Sequence, residues 1–227
     1  MIALGSKNKL KRFKENESFP NVIQPTRDEA LNDFVWKGKW CDFFKNGNPL
    51  VLELGCGKGE YSVGLAKRNP GKNYVGIDIK GARFWRGAKS ALEMDLPNVA
   101  FLRTQIELVD SLFAENEVDE IWITFPDPQI KYKRTKHRMT NPVFLNKYKQ
   151  ILKPDGYINL KTDSEFLHGY TLGILQGLGH EICYSNHDVY KNEGSPDEVL
   201  EIQTFYENQY LEKGKPITYL QFRFADI

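Results

Sequence analysis

The sequence predicts an α/β fold: an open, doubly wound, mostly parallel sheet of about seven strands with helices on both faces. Two observations lead there. Short apolar runs alternate with helical patterns along most of the chain, and the first such run ends in a glycine-rich turn that opens a helix. Strands separated by helical crossovers pair in parallel, with right-handed connections.

Each element has its own justification. A polar, basic N-terminal arm occupies residues 1–45, and residues 46–227 form one domain. "PLVLELG" is a short buried strand, followed by a helix through "EYSVGLAKRNP", the strand "NYVGIDI" and the helical "GARFWRGAKSALEMDL". "VAFLRT" and "VDEIWITF" are the third and fourth strands, with an "ELVDSLFAEN" helix between them. "NPVFLNKYKQILKPDG" has a proline near its start and a Pro-Asp-Gly stop, which suits a helix, and "YINLKTD" is the fifth strand. "HEICYSNHDVY" and "ITYLQFRF" add two strands, with "TFYENQYLEKG" as a helix between them and "NEGSPDEV" as a polar loop.

A chain of 227 residues with 41% hydrophobic and 27% charged residues can bury one sizeable core. No run approaches the roughly 20 apolar residues of a membrane span, and "MIALGSKNKLKRFKEN" has no signal-peptide core, so a cytoplasmic location without membrane partners is expected. Cys41, Cys56 and Cys183 are too few and too scattered for a disulfide framework or a Cys-x-x-Cys metal site. His137, His168, His180 and His187 lack metal-ligand spacing and read as surface or loop residues; no metal is expected.

The formal net charge is only +1, so the distribution of charge decides. Pro128 through Pro154 contains no acid, yet holds Lys131, Lys133, Arg134, Lys136, Arg138, Lys147, Lys149 and Lys153. A second acid-free group comprises Lys7, Lys9, Lys11, Arg12 and Lys14. Two basic footprints on a near-neutral chain suit a polyanion; a solvated helix face and a loose tail are the plain alternative.

In "VLELGCGKGE" the glycines Gly55, Gly57 and Gly59 let the backbone turn tightly and approach a ligand at the next helix N-terminus. Glu60 stands where a dinucleotide fingerprint has its third glycine, which counts against a pyrophosphate and suits a cationic ligand. Asp78 ends the second strand about 20 residues on, where a ribose diol is held in such sheets, and Glu53 is near the end of the first. The combination describes a pocket for a positively charged nucleoside, such as S-adenosylmethionine; otherwise Asp78 is a helix cap and Glu53 a surface residue. Gln105, after the third strand, can hydrogen-bond an adenine edge or merely neighbour an N-cap.

"WITFPDPQIKYKRTKHRM" ends the fourth strand in an acid, Asp127, between two prolines and ahead of the basic cluster. Ligands in open parallel sheets bind beyond the strands' carboxyl ends, so Asp127 is expected beside the transferable group. Asp163, after the fifth strand, is a second candidate, with the N-cap of a helix starting at Ser164 as its plain alternative.

"ELGCGKGE", "GIDI", "FPDP" with Lys131 behind it, "LKTD", "TFYE" and "EKGKPI" together resemble the bacterial tRNA (guanine-N7)-methyltransferase family over roughly residues 50–224. The resemblance implies a Rossmann-like class I methyltransferase that moves a methyl group from S-adenosylmethionine to N7 of a guanosine in the variable loop of tRNA. It implies cofactor-binding roles for Glu53, Gly55, Gly57, Asp78 and Gln105, and for Asp127, which is also catalytic. Substrate binding falls to Lys131, Asp163, Thr204, Phe205, Tyr206 and Glu207. The family often has an acid at Gln105 and usually a Trp at Gln129. Two other readings stay open: a methyltransferase acting on another RNA, a protein or a small molecule, and a non-catalytic RNA-binding module. No obligatory protein partner is expected, and either a monomer or a homodimer fits, the latter through a strand edge or an aromatic patch near Trp36 and Trp40.

Overall fold

The structure is a computed structural model that describes residues 4–225, with side chains from residue 8 onward; the Lys7 side chain of the N-terminal basic group lies outside the described residues. Its class is mixed α/β, with eight strands among the described residues. The chain divides into two compact units, residues 1–112 and 113–227.

In the first unit, the arm carries helix α1 (Leu4–Asn16), strand β1 (Val22–Ile23), α2 (Arg27–Asn32) and α3 (Trp40–Phe44). Then come β2 (Leu50–Leu54), α4 (Glu60–Arg68), β3 (Asn73–Ile77), α5 (Gly81–Glu93), β4 (Val99–Leu102) and α6 (Val109–Leu112). The strands lie in the order β1-β4-β3-β2, all parallel. Every residue of β2, β3 and β4 is buried, which is why these strands read as unbroken apolar runs rather than alternations.

The two-residue β1 pairs with β4 and raises the strand count above the expected seven. Its sequence carries no strand signal, because two residues cannot show a period; the ladder partner places it. The arm is tied down elsewhere as well. Asn16 donates to the Gly81 carbonyl at 2.9 Å, Asn21 to the Ala88 carbonyl at 3.0 Å, and the Trp85 indole to Glu15 at 2.6 Å. The aromatic patch expected near Trp36 and Trp40 is not a free surface at Trp40. That ring is 1% exposed, packs against Phe34, Phe43 and Phe44, and donates to the Leu112 carbonyl at 3.3 Å.

The second unit holds β5 (Val118–Thr124), α7 (Pro142–Ile151), β6 (Leu152–Thr162), α8 (Glu165–Gly177), β7 (Glu181–Asn186), α9 (Asp197–Glu201), α10 (Phe205–Glu212) and β8 (Thr218–Arg223). Its order is β5-β6-β8-β7, parallel for the first pair and antiparallel afterwards. The expected Pro-Asp-Gly helix stop lies inside β6 instead. Val118 pairs with Leu152 and Glu120 with Tyr157, so residues 153–156 form the register irregularity of a continuous strand. Gly156 is needed there, since an added Cβ would come 2.8 Å from the Asp119 carbonyl oxygen. The expected polar loop likewise contains the start of α9, whose Val199 is fully buried.

The histidine reading needs one correction. His168 is fully buried in α8, 3.2 Å from the Ser185 hydroxyl and with its ring 4.6 Å from that of His187. Burial, and secondarily His187, lower its pKa to about 4, so it is a neutral core residue rather than a surface one.

Candidate functional site

The glycine turn frames the candidate residues of the first unit. Gly55, Gly57 and Gly59 have φ of +78°, +56° and +74°, values that L side chains rarely adopt. The turn is closed by Gly55 and Cys56 N–H groups donating to the Ile77 carbonyl at 2.8 and 3.0 Å. Gly59 is demanded twice over, because a Cβ there would come 2.5 Å from the Phe101 ring. In front of Gly57 the nearest atom to an added Cβ is the Gly55 oxygen at 3.9 Å, leaving the turn open to a ligand.

Two carboxylates back the turn. Asp78, 9% exposed, accepts from the Gly57 N–H at 3.1 Å and from the Lys80 N–H at 2.7 Å. It does not cap α5, whose N-cap position is Lys80. Glu53 is 3% exposed, not a surface residue, and accepts from both the backbone N–H and the hydroxyl of Ser62. Gly76 permits that contact, since a Cβ there would sit 2.7 Å from the Ser62 hydroxyl. Cys56 is buried beside both acids; burial first, then their negative charge, push its thiol well up, which leaves it a small apolar residue without redox character. Gln105 is exposed, and its side-chain oxygen accepts from Arg27 at the start of α2. Arg27 was not foreseen as part of this region. One lone pair of Gln105 remains for a further donor. Pro25, Arg27, Ile79, Thr104, Gln105 and Leu108 are among the residues lining a cavity of about 300 Å³ here.

In the second unit, Asp127 is exposed on the loop after β5 and accepts from the Gln129 N–H at 3.1 Å. Phe125 and Gln129, on either side, both have φ of +47°. Left-handed backbone costs a bulky residue about 1–2 kcal/mol, so the loop persists only because its surroundings hold it. Arg138 supplies much of that hold. Its guanidinium donates to the Gln129 and Ile130 carbonyls at 3.1 and 3.2 Å and lies over the Phe166 and Tyr170 rings. At 6% exposed, Arg138 therefore leaves the solvent-facing basic cluster it was expected to join. Lys153 stays exposed but is paired with Asp119 at 2.6 Å. Lys131, Lys133, Arg134 and Lys136 stay exposed.

Asp163 is not the N-cap of α8; Ser164 is, through its hydroxyl and the Leu167 N–H. Asp163 instead pairs with Lys215 at 3.1 Å, and the Lys215 ammonium lies 4.9 Å from the Tyr210 ring centre. Thr204 and Glu207 cap α10 reciprocally. Glu207 is fully buried and pairs with the equally buried Lys161 at 2.7 Å, while the Tyr190 hydroxyl donates to it at 2.7 Å. Phe205 and Tyr206, the next two residues of α10, are 46% and 39% exposed. The motif thus divides into two buried anchors that fix the helix start and two aromatic rings that stay partly exposed, edge-to-face with each other. Lys161, Tyr190 and Lys215 were missed as individual residues. Two of them do leave a trace, Lys161 as the one cation in "YINLKTD" and Lys215 within "EKGKPI".

Residues 47–220 match the model of a family described as "Putative methyltransferase". A tRNA (guanine-N(7)-)-methyltransferase of Christiangramia forsetii is 72% identical to this chain, covering 97% of it and 99% of that protein. One of Bacteroides fragilis is 47% identical over 95% of this chain and 85% of that protein. Among solved structures, the 16S rRNA methyltransferase KamB superposes with a TM-score of 0.63 at 15% identity, over 83% of this chain and 94% of that one. A SAM-dependent methyltransferase from Aquifex aeolicus superposes with a TM-score of 0.53 at 18% identity, over 96% and 98%. At these identities the structural likeness speaks for the fold alone.

Proposed function

Since the chain belongs to the tRNA (guanine-N7)-methyltransferase family, we propose that it methylates N7 of a guanosine in the variable loop of tRNA with S-adenosylmethionine as cofactor. The observation that most supports cofactor binding is the buried Asp78 held against the open glycine turn through Gly57. Asp78 accepts the ribose hydroxyls, Glu53 and the backbone of Gly55 and Gly57 favour the cationic end, and Gln105, oriented by Arg27, meets the adenine edge. Bound S-adenosylmethionine supplies a methyl group on a sulfonium, an electrophile that an uncharged nitrogen can take directly.

Guanine N7 has an in-plane lone pair that is exposed in the major groove even when the base is paired. It needs no deprotonation, so the chain's own work is orientation and charge stabilisation. Asp127 and Asp163 accept hydrogen bonds from the guanine N1 and N2 donors, and Asp127 favours the positive charge that develops on the methylated ring. Lys215 holds Asp163, Arg138 holds the Asp127 loop, and Phe205 and Tyr206 offer faces for unstacked bases. Lys131 and its exposed neighbours hold the backbone. The enzyme is expected to act in the cytoplasm as a monomer or homodimer, without an obligatory protein partner.

Transfer of labelled methyl to bulk tRNA, followed by mass-spectrometric location of 7-methylguanosine, tests this reading; label in another position or in no tRNA overturns it. Two variants refine it. Asp78→Ala is expected to weaken cofactor binding by about 1.5–3 kcal/mol, the scale of hydrogen bonds to a charged group, with tRNA affinity nearly constant. Calorimetric titration reads this directly, and wild-type affinity would remove Asp78 from the ribose. Replacing Lys133 and Arg134 by Gln is expected to lower the slope of log affinity against log salt by roughly 0.7–0.9 per lost contact. Arg138→Gln should act differently, lowering the urea midpoint because it removes a buried, carbonyl-bound guanidinium.

A further inference from the structure

The first unit has a second cavity, of about 650 Å³, that the proposed chemistry does not use. Lys9 and Arg12 from α1, Lys80 and Arg83 from the start of α5, and Arg103 after β4 converge on it. Among the described residues no carboxylate lines it and none of the five cations forms an ion pair. Five uncompensated positive groups around one hollow oppose each other unless an anion joins them. A chain with a formal charge of only +1 has not placed them there by general basicity.

The cations are also positioned. Arg103 lies 4.6 Å from the Phe13 ring centre, with its Nε donating to the Ile79 carbonyl at 3.4 Å. Arg12 lies 4.8 Å from the Trp85 ring centre and reaches the Ala82 carbonyl at 3.5 Å. Stacking on aromatic rings fixes each guanidinium plane while its remaining N–H donors stay available, the arrangement that suits bidentate contact with phosphate. Gly81 makes the convergence possible, since a Cβ there would come 3.1 Å from both the Arg103 Cδ and the Phe13 ring. No side chain caps the first turn of α5 at the same place, which adds a favourable dipole.

We propose that this cavity is a phosphate site for the tRNA backbone, separate from the basic loop behind Asp127. The proposal rests on the tRNA reading above for its choice of polyanion. Ile79 and Arg103 also line the neighbouring cavity that holds Gln105, so the phosphate seats next to the region assigned to adenine. α1 is therefore a clamp whose contact with RNA is made jointly with α5, rather than a basic tail acting alone.

The test replaces Lys9 and Arg83 together by Gln; neither lines the neighbouring cavity that holds Gln105. The double variant is expected to bind tRNA about 5- to 50-fold more weakly near physiological salt, and its salt slope is expected to fall by roughly 1.4–1.8 for two lost contacts. KM for tRNA should rise with kcat little changed, and calorimetric affinity for S-adenosylmethionine should match wild type, which also reports an intact fold. Unchanged tRNA affinity and slope would overturn the site, as would a loss of affinity with no change in slope. Because binding is measured separately from methyl transfer, a wild-type protein that binds tRNA but methylates none would refute the catalytic reading while the slope comparison still decides this one.

Discussion

Asp127→Asn is expected to fold and to bind tRNA, yet to transfer methyl groups at least about a hundredfold more slowly, the scale lost with one preorganised electrostatic contact. The amide keeps the shape and can still accept from the Gln129 N–H, so the loop geometry survives while the charge is lost. Because N7 attack needs no general base, the loss should fall mainly on turnover and should not convert into a new titration in the rate profile. Some loss of cofactor affinity should accompany it, given the cofactor role the family resemblance implies for this position. A tRNA carrying 7-deazaguanine at the target provides the complementary measurement. It should bind normally and accept no methyl group, since carbon replaces the nucleophilic nitrogen. Methylation of that substrate, or wild-type turnover by Asp127→Asn, would send the search to another nucleophile.

The largest expected stability effect lies at Glu207. Glu207→Ala removes the partner of Lys161, whose side chain has no exposed surface, and takes away the Tyr190 acceptor and half of the α10 capping box. Burial already pulls the Lys161 pKa down and Glu207 opposes that pull, so the variant leaves an ammonium with its chief support gone. Breaking such a pair costs about 3–5 kcal/mol, readable as a shift in urea midpoint at constant m. Lys161→Met combined with Glu207→Gln should recover part of the loss, because no buried charge remains and the amide oxygen still accepts from Tyr190. A cost for Glu207→Ala below about 1 kcal/mol would mean that water reaches Lys161 and that the pair is not the anchor of α10. If the anchor reading holds, the same variant should weaken tRNA binding by loosening Phe205 and Tyr206.

These two residues differ in how much of their setting is local. The place of Asp127 on the loop after β5 was legible because proline neighbours and a strand end are local signals, and the reach of a chain segment determines which groups sit at a strand's carboxyl end. Gly55, Gly57 and Asp78 were legible for the same reason: a left-handed turn and a strand-terminal acid are written into a few consecutive residues. Glu207, by contrast, reads in sequence only as part of a motif. Its ion pair with Lys161 joins residues 46 positions apart, and no local pattern reports a contact of that span.

Arg138 makes the same point in the opposite direction. By sequence it belongs to a uniform run of cations, because charge along a chain carries no information about which side chain turns inward. Only the folded loop, with two carbonyls to satisfy and two aromatic faces from α8, decides that this one guanidinium is structural. Likewise β1 exists because β4 offers a parallel edge, and the hollow between α1 and α5 because Gly81 lets Phe13 and Arg103 approach. What the sequence determined by itself were the strand and helix periods, the glycine turn and the acids that end the strands, all set by steric and hydrophobic rules acting over a few residues. The tertiary structure alone decided which charges are paired, buried or left facing outward, since desolvation and ion pairing depend on neighbours far away in the chain.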